Sequence, residues 1–438
     1  MMTEFDVQPQ PGSPEDYVPL PELELVELQA MLDWLSTYGA DAQGGVTRLL
    51  YDNAWSEAQH ALAKQMADKG LVPAFDQSGN LYGTLSSEGS TSFDADREAP
   101  YPIVTGSHID SVVHGGKYDG AYGIVAGILA LEYLHKHFGR PKRTLKVVSL
   151  CEEEGSRFPF AYWGSRSITG VTILKEVQHL LDQQGVSFSQ AILGAGFGPD
   201  RGLEPAAQTY GAFIELHIEQ GQVLERHSRS IGIVSDIVGQ RRYNITVIGE
   251  ANHAGTTPML WRKDALAGAA DMIVAIRRIA LQTGEPFVAT VGRITAEPGV
   301  GNVVAAKATF SLDIRHVRQE ILDRCWQDML QAFQRIAAED QLRLKWEEHL
   351  SVTPTPMNEK IQQNIQEICE REQISYLHMP SGAGHDSQIF QPACPTAMIF
   401  VPSQQGISHN PREFTTETDL MNGFRVLVRL LYKYGYED

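Results

Sequence analysis

Thr105-Gly-Ser-His-Ile-Asp-Ser-Val-Val-His-Gly-Gly-Lys-Tyr-Asp-Gly120 is the stretch on which the fold turns. It grows out of a short apolar run, Pro102 to Thr105, with the length and composition of a buried strand. His108 and Asp110 are two residues apart, so on an extended backbone both point to the same side. Asp119 follows a Gly115-Gly116 turn that can fold it back toward them. One imidazole and two carboxylates thus gather at the carboxyl end of a strand, the end at which α/β sheets bind ligands. Downstream, Tyr122 to Phe138 reads as a helix capped by Gly139 with Pro141 just beyond, and Thr144 to Leu150 reads as a strand. Strand, loop, helix and strand in that order imply parallel pairing through a right-handed crossover. The Gly-rich loop contains neither Gly-x-Gly-x-x-Gly nor a Walker sequence, and its carboxylates would repel a phosphate, which argues against a nucleotide site.

Toward the N-terminus, residues 1–20 are Pro-rich, acidic and without periodicity, and read as a tail. Helical spacing runs from Leu23 to Leu35 and from Trp55 to Met66, a hairpin covers Val72 to Leu85, and residues 86–97 form a polar loop. Toward the C-terminus, the strand at Leu150 leads into Cys151-Glu-Glu-Glu-Gly-Ser-Arg-Phe, whose consecutive carboxylates repel one another unless a cation shares them. Phe213-Ile-Glu-Leu-His-Ile-Glu-Gln-Gly alternates, placing Glu215, His217 and Glu219 on one face of a strand. From about Gly239 the pattern changes to strand Tyr243–Ile248, helix Trp261–Ile279, strands Pro286–Ile294 and Val303–Ile314, helix Gln319–Ala338 and strand Leu342–Leu350. This β-α-β-β-α-β run describes an α+β sandwich inserted into the first domain, which resumes after Pro354. There, helix Glu359–Glu372, strand Thr396–Val401 and helix Thr418–Leu431 are separated by two polar loops containing His385 and His409. The expected fold class is α/β, a mixed, mostly parallel sheet flanked by helices. The expected divisions are a tail (1–20), a catalytic domain in two parts (21–236 and 354–438) and the insertion (237–353).

A chain of 438 residues favours more than one domain. Its formal charge of -18 argues against nucleic acid or an anionic membrane surface as partner, and an anionic ligand would need a local basic anchor. No apolar run is long enough to span a bilayer and the N-terminus lacks the features of a signal peptide, so a cytoplasmic location is expected. Cys151, Cys325, Cys369 and Cys394 are too dispersed for a Cys-x-x-Cys motif and are expected to be reduced core residues.

The polar residues at strand ends are His108, Asp119, Glu153, Glu154, His217, His385 and His409. Nitrogen and carboxylate donors without thiolate suit Zn, Mn, Co or Ni, and this many donors could hold two ions. A water clamped between ions about 3.5 to 4 Å apart would have its pKa lowered toward about 7, and a spare carboxylate could take its proton.

The ordered set Gly-Ser-His-Ile-Asp-Ser-Val-Val, Gly-Gly-Lys-Tyr-Asp-Gly, Glu-Glu-Glu-Gly-Ser-Arg-Phe-Pro, Glu-Leu-His-Ile-Glu-Gln-Gly, Asn-His-Ala-Gly-Thr-Thr-Pro-Met, Ser-Gly-Ala-Gly-His-Asp and Gly-Ile-Ser-His-Asn-Pro closely resembles the two-metal amidohydrolases of the hydantoinase/carbamoylase family, relatives of aminoacylases and metallo-carboxypeptidases. Segments Phe158 to Ser165, Val238 to Tyr243 and Ser381 to Phe390 most resemble the branch whose substrate carries two ureido groups. The resemblance implies hydrolysis of a ureido C–N bond in a small anionic substrate by two divalent ions, Zn or Mn with Co or Ni as alternatives. It implies that His108 and His217 bind one ion, Glu154 and His409 the other, that Asp119 bridges them, and that Glu153 is the general base. Asp110 matches the carboxylate that orients His108, and His253 the residue that polarises the scissile carbonyl. Asn302, Arg315, Gln220, Gln240, Gly384 and His385 fall at positions expected to bind or shape the substrate site. Arg315 could instead pair with Asp313. The insertion resembles the family's lid and dimerisation domain, which implies a homodimer, closure about hinges near Ser235 to Gly239 and Ser351 to Pro354, and lid residues serving the partner's cleft. Hydrolysis of N-carbamoyl-L-amino acids or N-carbamoyl-β-alanine is the nearest alternative. A non-catalytic metal-dependent binding protein is a distant one, disfavoured because Glu153 is present.

Overall fold

The computed structural model describes residues 25–89, 100–199 and 201–437; the tail expected over residues 1–20 and most of the loop expected over residues 86–97 lie outside them. The strands, in chain order, are β1 (Val72–Phe75), β2 (Leu81–Leu85), β3 (Ile103–His108), β4 (Leu145–Leu150), β5 (Ala212–Ile218), β6 (Ile231–Ile237), β7 (Gly239–Ile248), β8 (Val288–Thr290), β9 (Ile294–Glu297), β10 (Lys307–His316), β11 (Arg343–Val352), β12 (Thr355–Pro356), β13 (Tyr376–Ser381) and β14 (Thr396–Val401). They form two sheets. The larger runs β1-β2-β4-β3-β5-β14-β6-β12, with β13 also on β6, and the smaller runs β11-β7-β10-β8, with β9 also on β10.

The middle of the large sheet, β4-β3-β5-β14, is parallel. These strands are covered on both faces; β14 accordingly reads as a nearly continuous apolar run, while buried polar residues interrupt β3 and β5. Successive side chains alternate between two cores: Ile103, Val147 and Ile214 enter one, while Val104, Val148 and Phe213 enter the other. The first core also takes the buried faces of the helices Leu25–Ser36, Ala121–Phe138 and Glu417–Tyr432. The strand-helix-strand reading of residues 103–150 therefore holds, and the crossover leaves His108 at the carboxyl end of β3.

Three strands escaped the sequence reading. Strands β6 and β13 lie between polar loops and pair parallel to each other, and the two-residue β12 pairs antiparallel with β6. Their pairing is long-range, and nothing in their local pattern announces it.

The smaller sheet is antiparallel, with helices Ala265–Thr283 and Gln319–Glu339 packed on its core. Tyr243 stacks on Trp326 at 3.8 Å between ring centroids and 5° between planes, worth about 1 kcal/mol beyond burial alone. The helix expected from Trp261 begins instead at Ala265, where Asp264 accepts hydrogen bonds from the Leu266 and Ala267 amides; Met259–Trp261 is a separate 3-10 turn. The two strands expected over 286–314 are three: β8, β9 and β10. The chain passes between the sheets at Val238 and returns after Val352, and pairing of Gln240 with Val352 and of Ile237 with Thr355 sets the two crossings side by side.

Candidate metal centre and substrate cleft

Residues from four separated segments meet above the carboxyl ends of β3, β5 and β14. His108 ends β3, His217 is the penultimate residue of β5, Asp119 follows the β3 loop, and His409 lies in the loop after β14. The Asp119 carboxylate divides between them. Its Oδ1 lies 3.6 Å from His108 Nε2 and 3.1 Å from His217 Nε2, and its Oδ2 lies 3.2 Å from His409 Nε2. His409 Nε2 is also 3.4 Å from Glu154 Oε1. The other ring nitrogen of each buried imidazole faces a backbone carbonyl, His108 Nδ1 that of Asp110 at 3.0 Å and His217 Nδ1 that of Ile218 at 2.8 Å, which turns each Nε2 toward Asp119; His217 Nε2 also accepts the Gly120 N–H at 3.2 Å.

The surroundings hold this arrangement in place. Glu413 Oε1 accepts the backbone N–H groups of Tyr118 and Asp119 at 2.9 and 3.1 Å, and its Oε2 accepts from Ser408 at 2.8 Å. Gly120 adopts φ +64°, and a Cβ there would fall 2.3 Å from the His108 carbonyl oxygen and 2.6 Å from His108 Nδ1. Gln220 and His409 also adopt left-handed conformations, at φ 58° and 54°, uncommon for residues with side chains and concentrated at functional sites. Gln220 Nε2 donates to Asp119 Oδ2 at 3.0 Å.

Asp110 acts differently from the expectation that its carboxylate orients His108. Its two oxygens accept the backbone N–H groups of Glu153 and Glu154, each at 3.0 Å, whereas Oδ1 is 3.5 Å from His108 Nδ1. The carboxylate pins the glutamate segment, and its backbone carbonyl orients the histidine. Of the three consecutive glutamates, Glu152 turns inward to the Gly155 amide, leaving Glu153 and Glu154 facing the cleft.

These residues fit a divalent cation. Asp119 Oδ1 is buried and accepts no hydrogen bond among the described residues, although two imidazole nitrogens face it. Such an oxygen is costly unless a cation meets it. The same oxygen defines one candidate ligand group with His108 and His217, and Asp119, Glu154 and His409 form another. Burial works against charge on Asp119, yet the His108, His217 and His409 rings hold it well below the usual carboxylate range. Asp119 in turn lifts His409 to about 9, and burial beside Asp119 raises Glu154 to about 7. The carboxylates thus create a field that attracts positive charge here, met by protons on the imidazoles or by metal ions. Glu153 is 9% exposed and burial pushes it well above its ordinary range.

The centre opens into a cleft of about 570 Å³ between the two sheets, bounded by Glu153, Glu154, Gln220 and His409 below and by Gln240, Arg242 and Arg315 of the smaller sheet above. Arg315 does pair with Asp313, through Nε at 3.0 Å and Nη2 at 3.3 Å, and its Nη1 donates to the Gly382 carbonyl at 2.8 Å. Gln240 and Arg242 converge on the same Asp313 oxygen. Gly384 lines the cleft; His385 lies beneath it, buried against His217 and within 3.1 Å of Ser381 Oγ, and burial lowers its basicity.

His253 and Asn302 are not brought to this cleft. His253 bridges to Val303 beyond the far end of β7, and β7 at its near end pairs Gln240 with Arg315. Ten residues of extended chain separate the two ends by about 30 Å. Glu219 is not among the candidate ligand groups, whereas Glu215 lies within 4.8 Å of His217 and His385, behind the Asp119 centre. Glu215 accepts from Ser107 and Ser387, and Glu219 caps the helix Val223–His227. The sequence reading missed Glu413, although it stands four residues past His409 in the same loop.

With sheet order, divided carboxylate and cleft in place, the chain belongs to peptidase family M20/M25/M40, whose model matches residues 104–433, and it is a hydrolase. It is 45% identical to the allantoate amidohydrolase of Bacillus subtilis (strain 168) over 92% of this chain and 96% of that one. It is 43% identical to the allantoate amidohydrolase of Escherichia coli (strain K12) over 94% and 98%. Among solved structures, a hydantoinase/carbamoylase family amidase from Burkholderia multivorans superposes with a TM-score of 0.88 at 32% identity, covering 94% of this chain and 98% of that chain.

Proposed function

We propose that this protein is an allantoate amidohydrolase: it adds one water to allantoate and releases ureidoglycine, ammonia and carbon dioxide, a step in cytoplasmic recovery of purine nitrogen. The observation that carries the reading is the Asp119 carboxylate, one oxygen turned to His108 and His217 and the other to His409, with Glu153 buried beside it. This arrangement suits two divalent ions, Zn or Mn with Co or Ni as alternatives, with Asp119 between them, His108 and His217 on one side and Glu154 and His409 on the other. When bound, such ions supply Lewis acidity, lowering the pKa of water toward about 7 and polarising the ureido carbonyl.

The protein's own groups supply the proton transfers and the positioning. Glu153 takes a proton from the attacking water and returns it to the departing nitrogen. Burial favours this role, because the carboxyl must keep the proton between the two events. Asp110 fixes the backbone from which Glu153 projects. Asp313 carries a single negative charge between Arg242 and Arg315, so that wall of the cleft is left with net positive charge, suited to the substrate's carboxylate.

The oxyanion role assigned to His253, and substrate contact by Asn302, fit a homodimer in which these residues enter the neighbouring cleft. The outer face of helix Ala265–Thr283 exposes Leu266, Val274 and Leu281, and β8 and β9 expose Val288 and Ile294 on strands that pair only with β10 among the described residues. An apolar stripe beside an open sheet edge is a surface that a second copy can cover. The smaller sheet then acts as lid and dimerisation domain, with Val238 and Thr353–Pro354 as hinges.

The test is ammonia release by metal-reconstituted protein from allantoate, N-carbamoyl-β-alanine and N-carbamoyl-L-amino acids. Allantoate is expected to be turned over fastest. Glu153→Gln is expected to keep fold and metal while losing roughly 10²- to 10⁴-fold in kcat. Preference for a monocarbamoyl substrate, or turnover surviving in Glu153→Gln, would overturn the reading.

A further inference from the structure

One wall of the cleft has no role in that mechanism. Arg166 lies on the short helix Trp163–Ile168, just after the glutamate segment, and lines the same cleft as Glu153. Its guanidinium carbon sits 5.5 Å from the Phe160 ring centroid and 6.0 Å from that of Tyr162. It forms no ion pair among the described residues, and its Nε is buried without a hydrogen-bond partner. Arg315, by contrast, is held by Asp313 and Gly382.

Two more polar groups converge beside it. A Cβ built on Gly384 would lie 2.2 Å from Tyr162 Oη and 3.4 Å from Gln388 Oε1, so the phenol, the amide and the Gly384 backbone share one spot that only glycine leaves open. Tyr162 reaches it from a left-handed conformation, φ 64°. The wall therefore offers a cation above flat rings, a hydroxyl and an amide, with no carboxylate paired to the cation. That chemistry suits a planar, uncharged group rich in carbonyl and N–H, since guanidinium donates to a carbonyl oxygen while amide and phenol oxygens accept N–H.

Allantoate has three polar arms on one carbon: a carboxylate and two ureido groups. The cleft has three matching stations: the Arg242–Asp313–Arg315 wall, the Glu153–Glu154–His409 centre, and this third wall. We infer that Arg166, with Tyr162 and Gln388 around Gly384, forms the subsite for the second, uncleaved ureido group, and so makes the enzyme select a diureido acid over monocarbamoyl amino acids. This rests on the allantoate reading. A monocarbamoyl amino acid with an apolar side chain would leave the Arg166 donors desolvated and unpaired, the situation in which a polar site discriminates strongly.

The experiment measures kcat and KM for wild type, Arg166→Leu and Gln388→Leu on allantoate and on N-carbamoyl-L-leucine, with metal content and far-UV circular dichroism checked for each. The ratio of kcat/KM for allantoate to that for N-carbamoyl-L-leucine is expected to fall roughly 10- to 100-fold in Arg166→Leu, mostly through KM for allantoate, and by a smaller factor in Gln388→Leu. If Arg166→Leu does not fold, Gln388→Leu carries the test alone. An unchanged ratio in every variant that folds, including equal loss on both substrates, overturns the subsite. A wild-type protein that releases no ammonia from allantoate overturns the function reading instead, before any variant is compared.

Discussion

Replacing Asp110 with asparagine tests how the centre is supported. The Asp110 carboxylate accepts two backbone N–H groups, from Glu153 and Glu154, each at 3.0 Å and in a buried setting. Each such bond to a charged group contributes about 1.5 to 3 kcal/mol net. An asparagine can accept only one of them through its carbonyl, and its amide would turn N–H toward N–H at the other. Asp110→Asn is therefore expected to destabilise the metal-free protein by about 2 kcal/mol, read from urea unfolding in the presence of chelator. Because Glu154 is displaced with its backbone, metal affinity should fall roughly 10- to 100-fold, read by competition with a chromophoric chelator. If the carboxylate works through the glutamate segment, the same loss of stability should appear when Asp110→Asn is made in a His108→Ala background. A penalty that disappears in that background would show that the carboxylate acts on His108 after all, and an unchanged metal-free stability would refute the hydrogen-bond reasoning altogether.

Gly120→Ala should push the His108 ring out of place, because the added methyl meets its carbonyl and Nδ1 at 2.3 and 2.6 Å; the purified protein is expected to lose bound metal and at least roughly 10-fold in kcat/KM, checked by elemental analysis and assay. Mixing inactive Glu153→Gln and His253→Ala proteins after subunit exchange should restore about one quarter of wild-type activity if His253 of the partner subunit completes each cleft, since half the dimers are mixed and each has one intact site; no recovery would place His253 outside the partner's site. Asp76 is raised by burial from 3.8 to about 6 despite hydrogen bonds from Ser78 and Asn80. The unfolded chain releases this proton first as pH rises, so the folded state loses about 3 kcal/mol between about pH 4 and 6 and no more above that. The stability of Asp76→Asn relative to wild type should accordingly rise by about that amount between pH 4 and pH 7, measured by urea midpoints at both; a flat difference would count against a shifted Asp76.

Much of this protein was decided by covalent order. The apolar period of Tyr122 to Phe138, the strand runs on either side and the alternation through His217 depend on neighbours a few residues apart, so β3, β5 and the helix between β3 and β4 were legible, as was the donor chemistry of His108, Asp119, Glu154, His217 and His409. What needed the tertiary structure was everything set by contacts across long stretches of chain. The division of the Asp119 oxygens depends on β3, β5 and β14 lying side by side. Glu413 matters only because its loop folds back onto the Asp119 amide, nearly three hundred residues away in sequence. Strand β6 owes its existence to partners that follow it by well over a hundred residues. A motif such as Asn252-His-Ala-Gly is read from neighbours in sequence and does not say where the fold places its side chains. Distance in space is set by sheet order and assembly, and local sequence carries no term for either, so His253 reads as a member of a cleft that its own backbone holds about 30 Å away.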